Sequence, residues 1–294
     1  MKGLSKWIGI SMAVLLSCIS QDPLYAGQTN VTLSKSDSLS HKDRKRQRRE
    51  EFRKNYDRYF FNFQSVFSNL DTELGFELAD GLFTFKLGLE KNLGLPEKRT
   101  FYTGSFIDRL TPLSGIYAQY YGINRLENVI TESDFIFLED TIPAGTRSQA
   151  YFNTQVISVG YLLSILQDND AFLGAFINIY MMWLDTGVNS DIGNIDVNLK
   201  FIAPLPNVGL AAMFKLTHWM YLNGEVGFFV IHTPNFGGSL YDLSIRLLFK
   251  PVRWFGISLA YEEFDVRVEF PFDNVNTTVD YNFKGPSLGL SFTF

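Results

Sequence analysis

The chain has 294 residues and a net charge of −5, and 16% of its residues are aromatic while only 19% are charged. A water-soluble domain would have to bury nearly all of its 28 Phe and 14 Tyr, so the composition argues against an ordinary soluble protein. A mean hydropathy near zero argues against a helical membrane protein. So does the sequence beyond the N-terminus, where no apolar run reaches the roughly 18 residues that a membrane helix needs.

The first 26 residues have the pattern of a secretory signal peptide. Two lysines precede an apolar stretch from Trp7 to Ile19, and the small side chain of Ala26 suits cleavage after it. The chain's one cysteine, Cys18, lies inside this segment, so the mature chain is expected to form no disulfide. Residues 15–18 also loosely fit a lipoprotein cleavage site, which would leave a lipid on Cys18, and this alternative stays open.

Residues 27–62 are predicted to form a polar and basic periplasmic arm. Its segment 42–54 has eight basic and three acidic residues, whereas residues 55–294 have a net charge of −11. Between Arg44 and Tyr59, aromatic residues recur at steps of three and four, which indicates a short amphipathic helix. The basic segment suits an anionic partner in the periplasm. Two alternatives stay open: the arm folds against the barrel mouth, where its Phe and Tyr residues would cap the lumen, or it is a solvated, disordered arm. Secretion argues against nucleic acid as that partner.

Residues 63–294 change to a period of two, which is typical of strands. At the C-terminus, Leu288, Leu290, Phe292 and Phe294 alternate with small polar residues, as a strand between lipid and lumen requires. The apolar parity switches at Gly285-Pro286, which predicts a β-bulge there. The predicted fold is all-β: a closed antiparallel up-and-down transmembrane β-barrel. We count about ten strands, and eight or twelve stay open because the stretch from Leu70 to Leu93 is ambiguous.

The predicted connections alternate between short and long, as they do in outer-membrane barrels. Short ones are expected near 111–112, 167–170, 217–220 and 250–253, and long external loops at 124–149, 185–195, 232–239 and 270–278. A soluble β-sandwich or lipocalin-like barrel also alternates and is the alternative fold. The secretion signal and the terminal Phe294 favour the membrane barrel.

Several short motifs resemble those of an uncharacterised family of Gram-negative outer-membrane β-barrel proteins. They are Asn92-Leu93-Gly94-Leu95, Ala144-Gly145-Thr146, Ala203-Pro204-Leu205-Pro206 followed by Gly209, Gly238-Ser239, Tyr261, and Gly285-Pro286 before Phe294. Two positions depart from that pattern: Asn92 stands where the family usually has Asp, and Ala260 where Gly is usual. The resemblance implies the fold and the outer membrane as compartment, and it implies no activity or ligand.

Strand alternation predicts a set of charged side chains that point into the lumen. They are Lys200, Lys215, Glu225, Asp242, Arg246 and Glu262. Charges buried in a barrel must pair, and a ten-stranded barrel is narrow enough for side chains to fill it. A plug of paired charges is therefore favoured over a conducting pore.

Acidic residues cluster in two places, from Glu127 to Asp140 and from Glu262 to Glu269. A hard cation such as Ca²⁺ prefers oxygen ligands, but no EF-hand spacing is present, and a solvated acidic surface is favoured. Three histidines, His41, His218 and His232, are the candidates for a lipid-modifying hydrolase, and none has a Ser two residues away. We therefore predict no cofactor, no metal and no enzymatic activity.

The functional prediction is an integral outer-membrane barrel with a structural or envelope-interaction role. A narrow channel for small solutes is the first alternative, and a lipid-modifying enzyme is the second. The expected partners are outer-membrane lipids and lipopolysaccharide, together with the barrel-assembly machinery through the C-terminal strand ending in Phe294.

Overall fold

The computed structural model describes residues 57–78, 84–111, 113–130, 135–137, 140–142, 144–168, 170–190, 196–233, 236–272 and 275–294. The predicted signal peptide, the cleavage site after Ala26 and the basic segment 42–54 lie outside these residues. So does most of the helix predicted for the arm. Its last residue, Tyr59, begins the first strand.

The described chain is almost entirely β-strand. The strands are β1 (Tyr59–Leu78), β2 (Thr84–Gly88), β3 (Lys98–Thr111), β4 (Ser114–Ile130), β5 (Phe135–Phe137), β6 (Asp140–Ile142), β7 (Arg147–Gln167), β8 (Ala171–Ser190), β9 (Asp196–Thr217), β10 (Met220–Thr233), β11 (Phe236–Val252), β12 (Phe255–Phe272) and β13 (Val275–Thr293). One helix, α1 (Leu89–Leu93), joins β2 to the segment before β3. Within the described residues, no helix is long and apolar enough to span a bilayer.

The long strands form one antiparallel sheet that closes on itself. Each strand pairs with its neighbour in sequence, and β13 pairs with β1 from Phe60–Thr293 to Leu78–Val275, which completes the ring. Strand β1 pairs with β3 along one half of its length and with β2 along the other. Strands β2 and β3 therefore occupy a single strand position in the barrel wall. In the described residues the ring therefore has ten places, as the sequence predicted. The hairpin of β5 and β6 forms a separate two-stranded sheet.

The barrel wall has a gap between β3 and β4, where the pairing of these two strands stops partway along their length. Their pairing ends at Thr103–Tyr121, although β4 continues to Ile130 while paired with β7. Helix α1 and residues 94–97 lie along the chain between β2 and β3, where regular pairing is interrupted.

The two ends of the barrel differ. Asp57 and Phe294 lie at one end, called the short-turn end, with tight connections at residues 111–114, 167–171, 217–220 and 252–255, close to the predicted positions. At the opposite end, called the outer end, three of the four predicted long loops are much shorter than predicted, whereas the connection between β4 and β7 runs from residue 131 to residue 146 and includes β5 and β6. Strands continue through most of those stretches; β10 and β11, for example, are separated only by residues 234–235.

The apolar face of the sheet changes sides along the strands. In the half of β13 nearest Phe294, Leu288 and Leu290 are exposed on the outside while Ser287 and Ser291 are buried inside. In its other half, the buried inward side chains are Val279, Tyr281 and Phe283. The pairing register of β13 with β12 is continuous through Gly285-Pro286, so the predicted bulge is wrong.

The change of sides follows from a change of solvent. Strand β13 has 19 residues, whereas a tilted strand needs only about 9–11 to cross a bilayer. The half of the barrel near the short turns, called the membrane half, has an apolar outside and a polar inside, as lipid requires. The outer half has charged residues outside and an apolar core inside, as water requires. The barrel therefore extends well beyond the membrane at its outer end.

Candidate functional site in the barrel lumen

A polar network fills the lumen of the membrane half, centred on Arg246 of β11. The Arg246 guanidinium donates to Gln64 Oε1 at 3.3 Å and lies 3.5 Å from Glu262 Oε1. Gln64 Nε2 donates to Glu262 Oε1 and to Ser287 Oγ, both at 3.0 Å. Asn62 donates to Gln64 Oε1 at 2.8 Å. Residues from β1, β11, β12 and β13 are thereby joined across the interior.

Two further carboxyl groups face the same space. The hydroxyl of Tyr180 donates to Asp242 Oδ2 at 2.7 Å, and Glu225 lies within electrostatic range of Arg246 and Glu262. Glu262 and Glu225 are thus the carboxyl groups near the Arg246 guanidinium, while Asp242 is held by Tyr180. These charged groups lie in a lumen that is filled by side chains. Their contacts therefore stabilise the packing of the strands against one another.

The structure brings together four of the six predicted lumen residues: Glu225, Asp242, Arg246 and Glu262. Lys215 lies at the short-turn end, where its ammonium pairs with Asp170 at 3.0 Å. The inward placement of Lys200 is wrong. Strand β9 is continuous, so Lys200 shares the outer face with Ile202, and its ammonium lies 3.4 Å from Asp185.

Sequence reasoning missed the polar partners contributed by β1. Asn62 and Gln64 are 0% and 4% exposed, while Phe63 between them is 56% exposed. This alternation was visible in the sequence and could have assigned both residues to the lumen. Their contact with Arg246 depends on closure of the ring, which no local pattern encodes.

An aromatic layer lies across the lumen on the outer side of this network. Phe101, Tyr121, Phe264 and Phe283 come from β3, β4, β12 and β13, with ring centroids of Phe101–Phe283 and Phe264–Phe283 5.0 and 5.4 Å apart. Tyr281 stacks on Phe152 of β7 at 5.5 Å. The rings are buried and come from strands that follow one another around the ring from β12 to β7, so they fill that part of the interior.

The void between the polar network and the aromatic layer is small. Its volume is about 20 Å³, and Gln119, Tyr180, Asp242 and Phe264 are among the side chains that line it. A single water molecule requires roughly 10–15 Å³ of such volume. This void therefore has room for about one water molecule and for no larger solute.

Helix α1 forms a third closing element, nearer the outer end. Leu89, Leu93 and Leu95 are buried in the apolar core. The Glu90 carboxylate pairs with Arg125 of β4 and accepts the backbone N–H of Thr72 at 2.9 Å. Arg125 also donates to Thr72 Oγ1 at 2.7 Å. These contacts hold the helix to both β1 and β4.

The histidines do not form a hydrolytic site in the described part of the chain. His41 lies outside it, and His218 is exposed at a short turn against Trp219. His232 lines an outer-end cavity of about 300 Å³ together with Glu73 and Glu269. Neither the His218 nor the His232 side chain makes a hydrogen bond or ion pair with another described residue.

The predicted acidic clusters are divided between faces or lie outside the described residues. Glu262 points into the lumen, whereas Glu263, Asp265 and Glu269 of the same strand belong to the outer face. Of the longer loop, Glu132, Asp134 and Glu139 are outside the described residues. Among the residues described, no group of three or more His, Cys, Asp or Glu is arranged to hold a metal ion.

A closed ring of ten antiparallel strands, apolar outside and polar inside across the membrane half, defines an outer-membrane-type β-barrel. The fold is similar to that of the outer membrane protease OmpT from Escherichia coli, with a TM-score of 0.51 and 12% identity over 81% of this chain and 97% of that chain. This likeness confirms the predicted fold class.

Two other solved structures match more loosely. The transport unit of the autotransporter AIDA-I from Escherichia coli has a TM-score of 0.38 at 10% identity, covering 82% of this chain and 91% of its own. The Pseudomonas putida toluene transporter TodX has a TM-score of 0.34 at 7% identity, covering 83% and 92%. No family model and no curated protein matches the sequence.

Proposed function

We propose that this protein is an integral outer-membrane β-barrel with a closed lumen and a non-enzymatic role in envelope structure or envelope interactions. The observation that carries the proposal is the aromatic layer formed by Phe101, Tyr121, Phe264 and Phe283. It lies between a polar network and the anchored helix α1, so three successive elements obstruct the interior. Contacts with other molecules are then left to the outside of the barrel and its outer end.

Placement in the outer membrane is supported by the distribution of side chains on the outer face. Exposed apolar residues surround the membrane half, such as Ile179, Leu259 and Leu288. Exposed Trp254 and Phe294 lie at its short-turn end, and Tyr102 and Trp183 lie at its other limit. Such aromatic girdles are typical of the two membrane interfaces of outer-membrane barrels.

The C-terminal strand fits the expected partnership with the assembly machinery. Strand β13 closes the ring against β1 and presents Leu288, Leu290 and the terminal Phe294 on its lipid side. We propose that the machinery binds this strand before closure. Replacing Phe294 with Ser should lower the amount of assembled barrel in cells more than the stability of the refolded protein.

The channel alternative predicts permeability that the closed lumen does not. Liposomes containing the refolded protein should swell no faster than empty liposomes in an isotonic arabinose solution. Swelling that depends on the amount of protein would favour the channel and reject the closed lumen. A porin of known permeability, reconstituted in parallel, verifies that the assay detects a pore.

Enzymatic activity is the remaining alternative, since OmpT is named as a protease. For this chain we propose a non-enzymatic role, supported by the side chains of His218 and His232, neither of which makes a hydrogen bond or ion pair with another described residue. Incubating the refolded protein with phospholipid vesicles and with a mixed peptide library should release no product. Product that disappears in a His232→Ala variant would reject the proposal.

For the basic segment 42–54, the proposal remains an anionic partner on the periplasmic side. Its eight basic residues precede Asp57 and Arg58, which begin the barrel at the short-turn end. Deleting the segment should leave barrel assembly unchanged and abolish retention of the protein on an anionic cell-wall polymer.

A further inference from the structure

Two lysines lie side by side with Asn69 at the outer limit of the apolar surface. In the pairing register, Asn69 of β1 is opposite Lys98 of β3 on one side and opposite Lys284 of β13 on the other. All three side chains are exposed, and residues directly opposite each other share one face of a sheet. The two lysines are therefore separated by two strand spacings, roughly 10 Å.

Neither lysine is neutralised by another described residue. Glu263 is opposite Lys284 on β12, yet neither ammonium has a carboxylate within ion-pair distance in the described chain. Lys86 and Lys200 differ, because they pair with Glu73 at 2.6 Å and with Asp185 at 3.4 Å. The Lys98–Asn69–Lys284 row thus presents two free cations.

An apolar surface begins immediately on the membrane side of this row. Phe67, two residues from Asn69 on the same strand face, is 49% exposed. Two residues further along β1, Ser65 is opposite both Tyr102 and Leu288, which are 75% and 52% exposed. Cations above an apolar and aromatic band match the order of groups in a lipid, with its phosphates above its acyl chains.

A groove opens on the other side of β3, where the wall divides. Its volume is about 330 Å³, and Arg99, Tyr102, Tyr120 and Gln155 are among the residues that line it. Arg99 spans the division by donating to the backbone oxygen of Asn124 at 3.4 Å. The groove therefore lies next to the row along β3, and Tyr102 and Tyr120 offer aromatic walls to an acyl chain.

We propose that the Lys98–Asn69–Lys284 row and this groove bind lipopolysaccharide through the phosphorylated sugars of its lipid A. The inference rests on the proposed placement in the outer membrane. The row lies toward the outer end, which in that membrane faces the lipopolysaccharide leaflet. Lipid A carries phosphates on both ends of a disaccharide, so one molecule presents two anionic groups to two lysines.

The test measures binding of fluorescent diphosphoryl lipid A to the barrel refolded in neutral detergent. Fluorescence anisotropy compares the wild type with a Lys98→Gln/Lys284→Gln variant. Removing two surface cations should weaken binding roughly 10- to 30-fold. Dephosphorylated lipid A should bind the wild type as weakly as diphosphoryl lipid A binds the double variant.

Lys200→Gln is the matched control, since this lysine also borders an exposed apolar residue, Ile202, but has Asp185 as its partner. It should bind lipid A as the wild type does. Equal binding by the double variant, or an equal loss in Lys200→Gln, would overturn the proposal. Equally tight and equally lysine-dependent binding of phosphatidylglycerol would make the row a general anionic-lipid site and overturn the assignment to lipopolysaccharide.

Folding is followed separately by β-type circular dichroism and by heat-modifiable migration on gels. Failure of the wild type to form a barrel in detergent would reject the proposed function. A folded barrel with the wrong binding pattern would reject only the lipid A site.

Discussion

Arg125 of β4 and Glu90 of α1 form an ion pair whose side chains are 0% and 3% exposed. The guanidinium also lies 4.5 Å from the ring centroid of Phe152, and Glu90 accepts the backbone N–H of Thr72. This pair joins the helix to β4, which has no β partner on that side beyond Tyr121. It therefore closes the wall by side-chain contacts where backbone pairing stops.

We predict that an Arg125→Met variant loses about 3–5 kcal/mol in free energy of unfolding, because Glu90 would be left buried without its cation. Urea unfolding in lipid vesicles measures this. An Arg125→Met/Glu90→Gln variant should recover part of the loss, since it removes both charges. A double variant that is less stable than the single one would contradict this account of the pair.

The surroundings of Asp57 at the short-turn end predict that the free energy of unfolding decreases at acid pH. Lys250 Nζ and Arg253 Nε lie 3.2 and 3.3 Å from its carboxylate. Partial burial by itself would raise the pKa of Asp57, but the two cations hold this pKa below its ordinary value of 3.8. The charged carboxylate therefore stabilises the fold above the ordinary pKa, and this contribution is lost as pH falls through the lowered pKa.

The measurement compares urea unfolding of the wild type and of Asp57→Asn between pH 7 and pH 3. The difference in free energy of unfolding should stay constant down to roughly pH 5 and shrink below about pH 4. A difference that is the same at every pH would show that the carboxylate charge has no part in it. Glu77→Gln, at an exposed position of the outer end, is the control and should show no such change.

The change of apolar face along β12 predicts where the membrane ends. Leu259 is 59% exposed on the lipid side, and Asp265, six residues later, is exposed on the same strand face beyond the switch. Since Cys18 is the only cysteine, single cysteines can be introduced at either position once Cys18 is absent or replaced. A membrane-impermeant maleimide added to intact cells should label position 265 and leave position 259 unlabelled.

Denatured cells, in which both positions should react, provide the control. Labelling of position 259 in intact cells would place the bilayer elsewhere. An unlabelled position 265 would mean that the outer half is not exposed to the medium. The first result would reject the placement of Leu259 in the bilayer, and the second would reject the inference that the strands extend beyond the membrane.

The sequence predicted the fold class because lipid selects apolar residues at alternate positions, as Leu288 and Leu290 show. It did not predict the height of the barrel. A β-bulge and the end of the bilayer both move the apolar residues of a strand from one set of alternate positions to the other. The sequence around Gly285-Pro286 therefore could not show which of the two occurs there. The charged outer faces beyond the switch resembled loops, which is why strand segments were assigned to long loops.

The lumen was only partly predictable. Alternation identified Asp242, Arg246 and Glu262, because each lies in a strand with a clear period. It could not supply Gln64 as the partner of Arg246, since the two are 182 positions apart and meet only when the ring closes. It also misplaced Lys200, whose face follows from the continuity of β9 through Pro204 and Pro206.

The central claim is that the lumen is closed, and single-channel recording in a planar bilayer tests it most directly. The wild type should give no conductance steps, and a Phe264→Ala/Phe283→Ala variant should also give none, because the polar network and helix α1 still obstruct the interior. Steady steps from the wild type that change in an Arg246→Ala variant would contradict the claim and make the polar network the constriction of an open pore.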